Sequence, residues 1–204
     1  MWEIFEKGGF IMYPILASSI LALAVIVERM IVLAKTKMPE EKEIASLCEK
    51  AKKGRIKELE KLLDAGSSPI HKVITAIWKT EGDEHAREKS AGIAGDFVLR
   101  NLNKRLRWLA ILGSIVPLMG LLGTVLGMIR VFSNVAEAGD VSDISLLASG
   151  IWEALLTTAA GMAVSIPILL IFYWLSGKVE KVAFEMAHQG EAFISALRVA
   201  ESKK

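Results

Sequence analysis

Residues 108–129, WLAILGSIVPLMGLLGTVLGMI, and residues 144–177, ISLLASGIWEALLTTAAGMAVSIPILLIFYWLSG, decide the fold of this chain. The first is 22 residues long and uncharged; the second is 34 residues long and holds one charged side chain, Glu153. Roughly 30 Å of hydrocarbon is crossed by about 20 apolar residues at 1.5 Å per residue, so both stretches are long enough to span a bilayer. A third uncharged stretch, Gly8 to Val27, is 20 residues long. A single segment in lipid satisfies its own backbone N–H and C=O groups only as a helix. The sequence therefore predicts an all-α integral membrane protein with three transmembrane helices.

Charge orders these spans. The chain has 204 residues, 52% hydrophobic and 24% charged, and the charges are segregated. Residues 35–108 hold seventeen Lys/Arg and twelve Asp/Glu, whereas 131–150 hold no Lys or Arg and carry Glu137, Asp140 and Asp143. Basic segments stay on the cytosolic side. The predicted divisions are 1–34 (outer N-terminus and first span), 35–107 (cytosolic helical region), 108–131 (second span), 132–143 (short periplasmic loop), 144–177 (third span) and 178–204 (cytosolic C-terminal helix). Lys178, Lys181, Arg198, Lys203 and Lys204 in the tail agree with that topology. The first span reads as a retained anchor: Glu3 and Glu6 beside Lys7 make no basic leader, and its apolar run exceeds that of a secretory signal. A net charge of +2 points to no nucleic-acid partner. Cys48 is the single cysteine, and His71, His85 and His188 lack metal-ligand spacing. No phosphate loop, nucleophile elbow or dinucleotide fingerprint is present. Neither an enzyme active site nor a metal or cofactor is expected.

In the cytosolic region Pro39 opens a helix over Glu40–Lys52 and Gly54 breaks it. A second helix, Arg55–Ala65, repeats Ile56, Leu59, Leu62 and Leu63 at helical spacing. Ser68 is placed to cap the next helix with Pro69 in its first turn, and Ile70, Val73, Ile74 and Ile77 share one face. Nothing from Glu84 to Pro117 breaks a helix, which predicts one rod over Glu84–Phe132, about 70 Å long. The third span likewise runs on through Val182 and Phe184 toward Leu197. Two long helices thus project into the cytosol and need neighbours, from the same chain or from other copies.

Inside the spans, Gly113, Gly120 and Gly127 recur every seven residues, and Gly123 with Gly127 forms a small-xxx-small pair. Gly150, Ala154, Thr157, Thr158, Gly161 and Ser165 form a similar stripe. Such stripes permit close helix approach and serve packing within one chain as well as assembly. With Trp108 and Trp174 as inner-interface markers, Thr124 and Thr158 each lie about 24 Å along their helices and share a level. Pro117 and Pro167 fall near one another in depth and are candidate kinks. Glu153 lies roughly 31 Å from the Trp174 level, near the outer edge of the hydrocarbon. It is either an interfacial carboxylate in the first turns of its helix or a group facing an aqueous or subunit-lined cavity. Thr157 shares its face, and Thr158 is rotated by about 140°.

The run Gly113-Ser-Ile-Val-Pro117-Leu-Met-Gly120-Leu-Leu-Gly123-Thr124-Val-Leu-Gly127-Met128, followed by Gly150-Ile-Trp-Glu153-Ala-Leu-Leu-Thr157-Thr158-Ala-Ala-Gly161 and Pro167, resembles the MotA/TolQ/ExbB family. Span count and length are closer to its ExbB/TolQ branch. The resemblance implies a ring-shaped homo-oligomer, a pentamer, in the bacterial inner membrane, with periplasmic N-terminus and cytoplasmic C-terminus. The ring would enclose an ExbD/TolR-like one-span protein and act on a TonB/TolA-like energy transducer. Proton or sodium flow would drive work across the periplasm, as in TonB-dependent import. It also implies that Thr124, Glu153 and Thr158 belong to a polar ring around the central helices, with the ion-carrying acid on the partner. Thr157 and Arg130 depart from the usual pattern and leave the ion open. Envelope maintenance of TolQ type, a flagellar or gliding stator, and a non-conducting membrane scaffold are the alternatives.

Overall fold

The apolar stretches fold as the helices their lengths demand, and shorter helices fill the charged region between them. The computed structural model describes residues 8–36, 38–138 and 144–202. Among these lie α1 (Met12–Lys35), α2 (Glu41–Lys52), α3 (Ile56–Ala65), α4 (Pro69–Lys79), α5 (Glu84–Asn103), α6 (Leu106–Ala138) and α7 (Ile144–Glu201). No strand occurs among the described residues. Helices α1, α6 and α7 are each long and apolar enough to cross a membrane. Among the described residues the fold is all-helical, with three candidate membrane spans. The chain separates into two units: one comprises the chain up to Arg29 together with Arg105–Trp174, the other Met30–Lys104 together with the chain from Leu175 onward.

The first unit holds the apolar helices, and each buries one narrow stripe. On α6 the buried residues are Leu106, Leu109, Gly113, Val116, Gly120, Gly123, Gly127 and Val131. Steps of three and four residues keep such a stripe against a neighbour at a shallow crossing angle. Ala154, Thr157, Gly161, Ser165 and Ile168 form the facing stripe of α7. The two helices run antiparallel: Gly150 faces Val131, Ala154 faces Gly127, Thr157 faces Gly123, and Leu169 faces Gly113. Helix α1 buries Met12, Ile15, Ser18, Ala22 and Ile26. Outside these stripes the helices expose Leu, Ile, Val and Phe, as a lipid- or subunit-facing surface does. Away from the Gly9 end of α1, the Glu28 carboxylate accepts a hydrogen bond from Arg29 at 3.0 Å and pairs with Arg105.

The second unit packs α2–α5 with the final part of α7. Its core contains Leu47, Leu59, Ile70, Ile74, Ile77 and Phe193, all nearly inaccessible. Gly54, at φ +65°, reverses the chain between α2 and α3, a left-handed conformation that glycine adopts without steric cost. Asp83 caps α5, its carboxylate accepting from the Ala86 N–H at 2.9 Å. Arg198 pairs with Glu84 at 3.1 Å and Arg87 with Glu201 at 2.6 Å, tying the start of α5 to the end of α7. Cys48 is half-buried on α2, and burial pushes its thiol above the ordinary range.

Four local expectations change. Ile56 and Leu62, predicted to join Leu59 and Leu63, are 49% and 37% exposed; a ten-residue helix with neighbours on one side buries fewer positions than its apolar spacing offers. Ser68 stands at the N-cap of α4, but no side-chain cap bond forms, because its hydroxyl meets His71 Nδ1 at 2.7 Å. His71 is buried, with Nε2 3.3 Å from a Glu43 carboxylate oxygen. The rod expected over Glu84–Phe132 is two helices, broken at Lys104-Arg105 where the two units divide. Without glycine or proline there, the break follows from packing: α5 belongs to one core and α6 to the other. Helix α6 also continues beyond residue 131 to Ala138, so the first part of the loop expected over 132–143 is helical; residues 139–143 lie outside the described ones, as do 1–7.

Candidate functional site: the polar seam of the two long spans

The seam between α6 and α7 is built on glycine. A Cβ added at Gly120 would lie 2.8 Å from the Thr157 carbonyl oxygen and 3.0 Å from Thr158 Cα, and one at Gly161 would lie 2.9 Å from the Val116 carbonyl oxygen. Backbone therefore touches backbone, as small residues allow in membranes. Gly123 admits the Thr157 side chain, and Gly127 admits Ala154. The predicted packing residues Gly113, Gly120, Gly123, Gly127 and Gly161 all lie on this contact.

That approach places hydroxyls on carbonyls. Thr158 Oγ1 donates to the Gly120 carbonyl at 3.0 Å. Thr157 Oγ1 lies 2.7 Å from the Ala154 carbonyl of its own helix and 3.3 Å from that of Gly120. Thr157 is only 1% exposed. Pro117 has no N–H, which leaves the Gly113 carbonyl four residues earlier without its helical donor. Ser165 Oγ supplies the missing bond. Pro167 lies beside Ile168 and Leu169, level with Gly113, so the two prolines sit about one turn apart. Thr124 differs from the other hydroxyls: its Oγ1 donates to Leu121 O of its own helix at 2.6 Å. It lines a shallow exposed surface with Val125, Met128, Ile129 and Phe132.

Glu153 stands one turn from Thr157 at the other end of the seam. Arg130 Nη1 lies 3.2 and 3.3 Å from its two carboxylate oxygens. Gly9, at φ +66°, also comes so close that a Cβ there would fall 1.9 Å from Oε1. Glu153 thus meets α6 and the residues leading into α1. Sequence reasoning singled out Glu153, Thr157, Thr158 and the glycines, and the structure brings them onto one seam; Thr124 lies on a separate face. Arg130 and Gly9 join them from outside the expected set. Arg130 is the single charged residue in 108–136, and that was the available signal.

Comparison with known proteins gives the same direction. Residues 54–188 match the MotA/TolQ/ExbB proton channel family. A Synechocystis sp. protein named ExbB-like 1 is 34% identical over 171 residues, covering 82% of this chain and 67% of the relative. Biopolymer transport protein exbB1 of Vibrio cholerae is 37% identical over 106 residues, covering 52% of this chain and 46% of the relative. A Methanothermobacter thermautotrophicus protein named as an ExbB homolog is 27% identical over 181 residues, covering 87% and 63%. The chain thus spans between about half and two thirds of the length of these relatives. With a family match extending over most of its length and including both helices of the glycine seam, this chain belongs to the MotA/TolQ/ExbB proton channel family.

Proposed function

We propose that the protein is an ExbB/TolQ-like subunit of an inner-membrane, ion-driven motor that couples the proton motive force to work on a periplasm-spanning partner, as in TonB-dependent import. In this reading five copies form a ring around an ExbD/TolR-like one-span protein. The N-terminus lies in the periplasm, residues 35–107 and 178–204 lie in the cytosol, and the assembly acts on a TonB/TolA-like transducer. The polar ring expected of Thr124, Glu153, Thr157 and Thr158 then divides: Thr124 faces the ion path with Glu153 beside it, while Thr157 and Thr158 hold the seam behind them.

The observation that carries this reading is the allocation of hydroxyls in the family-matched segment. Thr157, Thr158 and Ser165 bond to carbonyls across or along the seam, while Thr124 stands among exposed apolar side chains. A hydroxyl on such a face suits a neighbouring chain that presents a polar group in the membrane. Ion flux into liposomes, with and without a one-span partner and under separate proton and sodium gradients, tests it. Flux that requires the partner and falls on Thr124→Ala is the expected result and also identifies the ion. A stable oligomer without flux in any combination sinks the channel reading. It would favour a non-conducting scaffold, which the use of the other three hydroxyls in packing also fits.

A further inference from the structure

Two side chains account for all the formal charge in residues 108–136 and 144–177, Arg130 in the first and Glu153 in the second. The fold brings them together, with Arg130 Nη1 3.2 and 3.3 Å from the two Glu153 oxygens. We propose that Arg130 is a positioning residue that holds Glu153 as a fixed bridge between α6 and α7 beside the ion path.

Three observations support this assignment. A lone carboxylate or guanidinium near hydrocarbon is costly, and pairing is the usual remedy; here each span supplies the one charge that the other lacks. Next, the carboxylate has two close neighbours. Arg130 bridges both oxygens, and Gly9 closes against Oε1 with no room for a Cβ. Glu153 is accordingly 25% exposed against 62% for Arg130. Finally, an ion-carrying acid must alternate between empty and loaded states. A guanidinium keeps its charge throughout the working pH range, so a proton or sodium ion arriving at Glu153 would have to displace a cation already bonded to both oxygens.

The assignment rests on the channel reading only for its phrase about the ion path; the pairing is tested without a partner or a gradient. Dicyclohexylcarbodiimide enters membranes and modifies the carboxyl groups that it can reach. Applied to the full-length protein in liposomes, with peptide mass spectrometry at Glu153, it should modify the wild type slowly, because Arg130 covers both oxygens and Gly9 lies against Oε1. Arg130→Gln should uncover both oxygens and raise the labelling rate by roughly tenfold or more. Arg130→Lys, which keeps a cation but not the planar fork, should fall between. Labelling of wild-type Glu153 as fast as in Arg130→Gln overturns the proposal. So does labelling of the wild type at the rate found after unfolding, a comparison that needs no variant to fold. Failure of the channel reading would appear in the flux measurement and leave the labelling pattern unchanged.

Discussion

Ser165 shows how one side chain repairs the damage another causes. Pro117 deprives the Gly113 carbonyl of its helical donor, and the Ser165 hydroxyl replaces that donor from the facing helix. Ser165→Ala should therefore cost about 0.6–2 kcal/mol in unfolding from detergent micelles. In a Pro117→Ala background the cost should shrink, because residue 117 regains an N–H for Gly113. Equal costs in the two backgrounds would show that the bond contributes little. Half of this is legible in the sequence, where Ser165 belongs to the small-residue stripe and Pro117 is a candidate bend. The bond linking them required the register of two antiparallel helices, which no local pattern states. Ser68 illustrates the opposite case, where a sound capping signal lost its hydroxyl to His71 at 2.7 Å.

The seam makes the elements α6 and α7 unequal in their tolerance of added bulk. At Gly120 a methyl group would meet the backbone of Thr157 and Thr158, which can yield only if the helices separate. Gly120→Ala should destabilise the protein by about 1–3 kcal/mol, measured by detergent unfolding. Gly177→Ala should leave stability unchanged or raise it by up to about 1 kcal/mol through helix propensity, since nothing lies within 4 Å of that Cβ position. A Gly120→Ala variant as stable as Gly177→Ala would show that the close approach is not needed. Glycine periodicity made this seam legible from sequence. The division of the predicted Glu84–Phe132 rod was not legible, because Arg100-Asn101-Leu102-Asn103-Lys104-Arg105 contains no breaker and the boundary arises where helix segments join different cores. For the same reason the exposure of Ile56 and Leu62 follows from how many neighbours α3 has, a number its own periodicity does not encode.

For the whole molecule, the three candidate spans and the charge asymmetry around them were readable from composition alone, and Cys48 offers a test of the topology drawn from them. Its thiol is pushed up by burial, and the thiolate is the reactive form. At any pH below the displaced titration a smaller fraction is reactive, so the maleimide rate should rise at higher pH than for a free thiol, and unfolding should remove the displacement. A membrane-impermeant maleimide should reach Cys48 in inverted vesicles of the host membrane but not in right-side-out ones; the reverse would overturn the proposed cytosolic placement of residues 35–107. Position 9 stayed hidden in the sequence, because a glycine at the start of an apolar run resembles any other small residue. Its left-handed backbone and its contact with the Glu153 carboxylate have a genetic consequence. Missense alleles at codon 9 should share a phenotype with alleles at codon 153, although the two lie 144 codons apart.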